Sequence, residues 1–216
     1  MSAEHQALRD AISELRLGLM SFEQRDDGAY TDEELLKCKA FIVFAHAEVE
    51  NYLEKVARRI LSEARQRWQR ASVPDRVIAT LLAYRRKELA PLPEDPKHPT
   101  GKSDLQKIVD DCFTLQGEAI AENNGVKASN LSRILCPLGV LPQDIEEAML
   151  IQLNNTGSRR GDFVHKQSKV SMRRIRDPIA DELSDILNLV DELEKFDRNI
   201  EAIGLLSIPA PAAPTV

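Results

Sequence analysis

Apolar residues recur every three or four positions along most of this chain, and strict alternation is nearly absent. That spacing predicts helices rather than strands. Ala7, Leu8, Ile12, Leu15, Leu19 and Met20 outline a first helix that fades near Gln24. The stretch RDDGAY reads as a turn. Thr31 then offers an N-cap with Glu34 three residues on, the signature of a capping box. A long helix should follow to about Trp68, with Ile42, Ala45, Val49, Leu53, Val56 and Ile60 as its core stripe.

Asp75 to Leu89 can form a third helix after Pro74. APLPEDPKHPTGK, with its prolines between Ala90 and Lys102, cannot be a helix interior and reads as a long exposed loop. Ser103 can cap a helix to about Ile120, which ENNG ends. Ser129 to Leu135 is a short helix stopped by Pro137 and Gly139, and Pro142 opens another that runs to the stretch NNTG. Asp177-Pro178 starts a final long helix carrying Ile179, Leu183, Ile186, Leu187, Val190, Leu193 and Ile200 on one stripe. The expected architecture is an all-α bundle of two long helices and several short ones, one domain over residues 1–205. The tail from 206 to 216, SIPAPAAPTV at its end, is Pro/Ala-rich and expected to be disordered.

Composition narrows the function classes. Hydrophobic residues make up 43% of the 216, enough for a core built from Leu, Ile, Val and Ala. A net charge of −6 argues against a general nucleic-acid binder, so any anion site must be a local patch. Cys38, Cys112 and Cys136 are widely spaced and read as buried, reduced thiols, with no CxxC pair to suggest a zinc ribbon. The N-terminal MSAEHQALRD carries no apolar signal region, and no apolar run approaches the roughly 20 residues needed to cross a bilayer. A cytoplasmic setting without a membrane partner is the expectation.

The histidines divide by their company. His5 and His98 lie among polar residues and read as solvated bystanders. No HExxH or other metal-ligand spacing appears, and neither metal nor cofactor is expected. His46 sits at the edge of the apolar stripe of the second helix, with Glu50 one turn later. Either the two form a structural pair at a helix seam, or this edge lines a site and Glu50 anchors a cation from elsewhere. His165 stands inside the one strongly basic stretch. From Ser158 to Arg176 stand Arg159, Arg160, Lys166, Lys169, Arg173, Arg174 and Arg176 against a single acid, Asp162.

At these residues the chain resembles the HEPN domain family. RGDFVH, Arg160 to His165, matches the family's R-x4-6-H signature, with Gly161 in a slot that usually holds a polar residue. FAHAEVENYLEKVA, Phe44 to Ala57, is similar to the second-helix pattern of the branch associated with RNA-ligase-type and phosphatase-type partners, through Glu50, Tyr52 and Leu53. The resemblance spans roughly Leu35 to Ile200. It implies a metal-independent endoribonuclease of the toxin or defence type, acting on RNA at the cleft of a homodimer, with an antitoxin or a neighbouring-gene product as a further partner.

The residues fit that chemistry. Cleaving RNA without a metal needs a proton taken from the 2′-hydroxyl, charge stabilised on phosphorus, and a proton given to the leaving oxygen. Histidine suits proton transfer and arginine offers a fixed cationic fork. Arg160 and His165 are the catalytic candidates. Glu50, Asp162 and Arg159 support them, and Lys166, Lys169, Arg173 and Arg174 are expected to bind RNA. Positions five apart lie about 140° apart around a regular helix, so the helix is expected to break near Gly161. The alternative is a non-catalytic module that binds RNA or a partner protein, favoured by Gly161 and the acidic net charge. A purely structural adaptor is the third reading.

Overall fold

The computed structural model describes residues 1–85, 104–165 and 175–206, and their side chains except at 104, 162, 164 and 165. The described residues form helices joined by turns: α1 (Ala3–Leu19), α2 (Asp32–Ala71), α3 (Arg76–Arg85), α4 (Asp104–Ala121), α5 (Ala128–Ile134), α6 (Glu147–His165) and α7 (Ser184–Ala202). The all-α expectation holds among them. The loop 90–102 with His98, the proposed Ser103 cap, the tail from 207, and Lys166, Lys169, Arg173 and Arg174 lie outside the described residues.

The 40-residue α2 is the spine, about 60 Å long at 1.5 Å per residue. It starts at the predicted capping box: Thr31 accepts from the Glu34 backbone, while the Glu34 side chain accepts from the Thr31 N–H. Every residue of its predicted stripe is buried, together with Cys38, Phe41, Tyr52, Ala57, Ala64 and Trp68. α1 lies antiparallel to α2, with Glu4 paired to Arg59 at one end and Leu19 sharing a groove with Phe44 at the other. α4 lines the far half, where Phe113 receives the Arg65 guanidinium on its ring. α6 and α7 pack together and close the near half.

Three sequence expectations need correction. α1 ends at Leu19, where the Met20 N–H still reaches the Arg16 carbonyl, rather than near Gln24. His5 is no solvated bystander. It is fully buried, 3.1 Å from the Val190 carbonyl through Nε2 and edge-on to Tyr52 at 5.8 Å between ring centroids. It sits beside buried Asp197, which accepts from the Ser2 N–H and Oγ–H at 2.6 Å each and from the Tyr52 hydroxyl. This network ties the start of α1 to α7 through α2.

The third correction concerns the opening to the basic stretch. NNTG does not end a helix, and no break occurs at Gly161. α6 runs unbroken from Glu147 to His165. Met149, Leu153, Thr156 and Phe163 are buried along one side of it at steps of four, three and seven. Interior glycine costs a helix about 1 kcal/mol against alanine, and a face buried at this period outweighs two such positions. The asparagine that resembled a helix stop instead joins two helices. The Asn154 Oδ1 accepts the Ala128 N–H at 3.0 Å, fixing the start of α5 onto α6.

The final helix also starts differently from a plain α-helix. Asp177 caps it, accepting from the Ile179 and Ala180 N–H groups, and Pro178–Leu183 forms a π turn before α7 begins. The Tyr30 hydroxyl donates to Asp177 at 2.9 Å, so the α1–α2 connection braces this turn.

Candidate functional site

The site is built where α6 crosses the near half of α2. Arg159 and Arg160 are adjacent in sequence and therefore about 100° apart around α6. They meet different surroundings.

Arg159 turns toward the π turn. It pairs with Glu182, a carboxylate only 2% exposed, and its guanidinium lies 5.6 Å from the centre of the Phe163 ring. Arg176 reaches the same carboxylate, donating to Glu182 Oε1 through its backbone N–H at 3.0 Å, and it also pairs with Asp185. Burial, then the neighbouring Arg176 charge, hold the Arg159 guanidinium below its ordinary pKa. On α2 beneath it, burial pushes the Cys38 thiol up to about 12, against the pull of Arg159. A narrow cleft on this side is lined by Ile42, Gln152, Thr156, Arg159, Glu182 and Ile186. Glu182 thus neutralises two guanidiniums from opposite ends of the basic stretch. Only one signal in the sequence could have found it: an acid three residues after Ile179, in register with the apolar stripe, implies a buried charge and hence a cation to meet it.

Arg160 turns toward α2, and its charge acts on both His46 and Glu50. His46 is 3% exposed. Its pKa falls to about 4, first because burial disfavours the imidazolium and then because Arg160 repels it. His46 is therefore neutral at neutral pH. Its Nδ1 stands 3.9 Å from the Glu50 carboxylate, beyond hydrogen-bond range, and the contact is not an ion pair there. Glu50 is half-buried. Burial and then the Glu54 charge raise its pKa, while Arg160 pulls it down. The Arg160 charge is felt at this edge, but Glu50 closes no ion pair with it; among the described residues its one contact at such range is with His46.

His165 is the last residue of α6, so on this unbroken helix its position lies about 140° around the axis from Arg160. The side chains of His165 and Asp162 are outside the described residues. Among the described residues no group of three His, Cys, Asp or Glu side chains converges to hold a metal ion. No described helix is long and apolar enough to cross a membrane.

The family model described as RiboL-PSP-HEPN matches residues 7–202 of the chain. No curated protein and no solved structure matches it.

Proposed function

From the premise that this chain belongs to the RiboL-PSP-HEPN family, which points to a ribonuclease-type or RNA-associated module, we propose that it is a metal-independent endoribonuclease of the toxin or defence type. The observation that carries this reading is the contrast between the two arginines. Arg159 is closed into its pair with Glu182, whereas Arg160 is half-buried against Glu50 and a neutral histidine. Glu50 supports Arg160 in this reading through its charge alone, with no ion pair closed between the two. A guanidinium presents a planar fork to phosphoryl oxygens.

The reaction runs as an internal transfer. His165 takes the proton of the 2′-hydroxyl, O2′ bonds to phosphorus, and Arg160 meets the negative charge that builds on the phosphoryl oxygens. The P–O5′ bond breaks, and a second histidine gives its proton to O5′. The products are a 2′,3′-cyclic phosphate and a free 5′-hydroxyl. One motif histidine per chain is short for two transfers, and a two-fold dimer supplies the second because an isologous interface repeats the patch. The basic positions Lys166, Lys169, Arg173 and Arg174 serve to hold RNA, with Asp162 orienting a neighbour.

Incubating the purified protein with structured and single-stranded RNA in EDTA tests this. The wild type should cut and leave cyclic-phosphate ends, and His165→Ala should not. Equal inertness of both, combined with equal effects on growth when each is expressed, sinks the catalytic reading. Salt-sensitive RNA binding without cleavage, lost on charge reversal at Arg173 and Arg174, would instead support the non-catalytic module that Gly161 favours.

A further inference from the structure

We infer that Lys127, outside the motif, is an RNA-binding residue of the same site and holds a phosphate next to the one at Arg160. This rests on the RNA-directed reading above.

Lys127 is exposed and stands immediately before α5 with extended backbone. Its side chain does not run out into solvent. A Cβ built on Gly157 of α6 would lie 2.8 Å from Lys127 Cγ, 3.6 Å from Cδ and 3.3 Å from Cε. The lysine stem therefore lies flat across α6 where α6 has no side chain, and any other residue at 157 would displace it. The neighbouring hydrogen bond from the Ala128 N–H to Asn154 Oδ1 pins the lysine backbone at this crossing.

The crossing is close to Arg160. Positions 157 and 160 are three apart on the helix, so they are surface neighbours at roughly 5–6 Å between Cβ atoms and about 60° apart around the axis. The ammonium lies one bond beyond Cε. It is thus held on the turn next to Arg160, at the side of the helix that leads round toward position 165. One turn on, a Cβ added at Gly161 would meet nothing within 4 Å among the described residues. Two cations brought together from distant parts of the chain suit successive phosphates of one strand: a fork at Arg160 and a compact point charge at Lys127. Packing of the stem alone would need the methylenes but not the charge, and this difference makes the inference testable.

The experiment measures binding of a fluorescein-labelled single-stranded RNA by anisotropy, in EDTA, from about 50 to 200 mM salt, on the full chain with His165→Ala as the common background to prevent cleavage. Thermal unfolding of each protein checks the fold. Lys127→Gln should weaken binding several-fold and lower the slope of log affinity against log salt by about 0.7, while Lys127→Arg keeps both. Gly157→Ala, which retains the lysine but evicts its stem, should weaken binding like Lys127→Gln. Affinity and slope unchanged in Lys127→Gln overturn this inference and leave the proposed function standing. Equal losses in Lys127→Arg and Lys127→Gln overturn it too, since charge would not be the cause. A background protein that binds no RNA at any salt overturns the RNA-directed reading and this inference together.

Discussion

Arg159 and Arg160 share a residue type, a helix and a peptide bond, yet a rotation of about 100° gives them different physics. On the Arg159 side the charges close on themselves: Glu182 takes two guanidiniums, Asp185 takes part of one, and Phe163 covers the face of the other. On the Arg160 side its charge is felt by an imidazole that burial keeps neutral and by a half-buried carboxylate with raised pKa. Saturated charge stabilises a fold and has little left to offer a ligand. A cation whose partner is weakened by burial is the better placed to recruit a phosphate. Either arginine satisfies the motif spacing to His165, so the helical register, not the spacing, distinguishes them.

The largest test is to change one arginine at a time. Arg160→Lys keeps the charge and loses the fork, so RNA cleavage should fall by roughly 100-fold or more, with an unchanged urea midpoint. Arg159→Lys should do the reverse, lowering the midpoint while cleavage per folded molecule stays within a few-fold. Similar losses of activity in both variants would erase the distinction between the two sides.

Next in size is the hub itself. Glu182→Gln removes a buried carboxylate and leaves two guanidiniums facing a neutral amide, which should cost about 3 kcal/mol of unfolding free energy. Urea denaturation measures it. A smaller loss in Arg159→Leu than in Glu182→Gln is expected as well, because Arg159 is 24% exposed and Glu182 only 2%.

Acidification probes the Arg160 side. His46 has a folded pKa near 4 against an unfolded value near 6.5. At intermediate pH the unfolded chain binds the proton and the fold does not, so stability is lost as pH falls from about 6.5 toward 4. The loss should reach about 2 kcal/mol at pH 5. His46→Gln, which has no such proton to take up, should flatten the difference between urea midpoints at pH 7 and pH 5. A drop that persists undiminished in that variant would assign it to other groups.

Most of the fold could be read from the chain because its pattern is strongly periodic. The stripe of α2 is buried as spaced, and the Thr31–Glu34 capping box forms. What misled was local: Asn and Gly in NNTG and RRG carry poor helix propensity, but Met149, Leu153, Thr156 and Phe163 bury one side of α6 straight through them. Tertiary packing decided the helix, and propensity did not. His5 misled in the opposite sense. Its polar neighbours in sequence point elsewhere on α1, and only the approach of α7 shows that its own side is buried. The site was partly legible. His46 and Glu50 stood out by their place on the stripe, and Arg160 by its motif. Glu182 and Lys127 did not, because each acts across the bundle on a residue 20 to 30 positions away, and nothing local records such a pairing.

The smallest test concerns the ring that covers Arg159. Phe163 is 3% exposed and lies under the guanidinium at 5.6 Å. Phe163→Leu keeps an apolar side chain of smaller volume and removes the ring face. The loss combines a cation–π term of about 0.5–1 kcal/mol with a modest packing cost, for a total of about 1–2 kcal/mol in urea denaturation. In a double-mutant cycle with Arg159→Leu the two losses should fail to add by about 0.5 kcal/mol or more, since residues in contact couple. Cleavage by the folded fraction should not move, because the ring serves the saturated side of α6. A Phe163→Leu variant with full stability but reduced cleavage would mean that the two sides are mechanically linked through α6, and that Arg159 reaches the reaction after all.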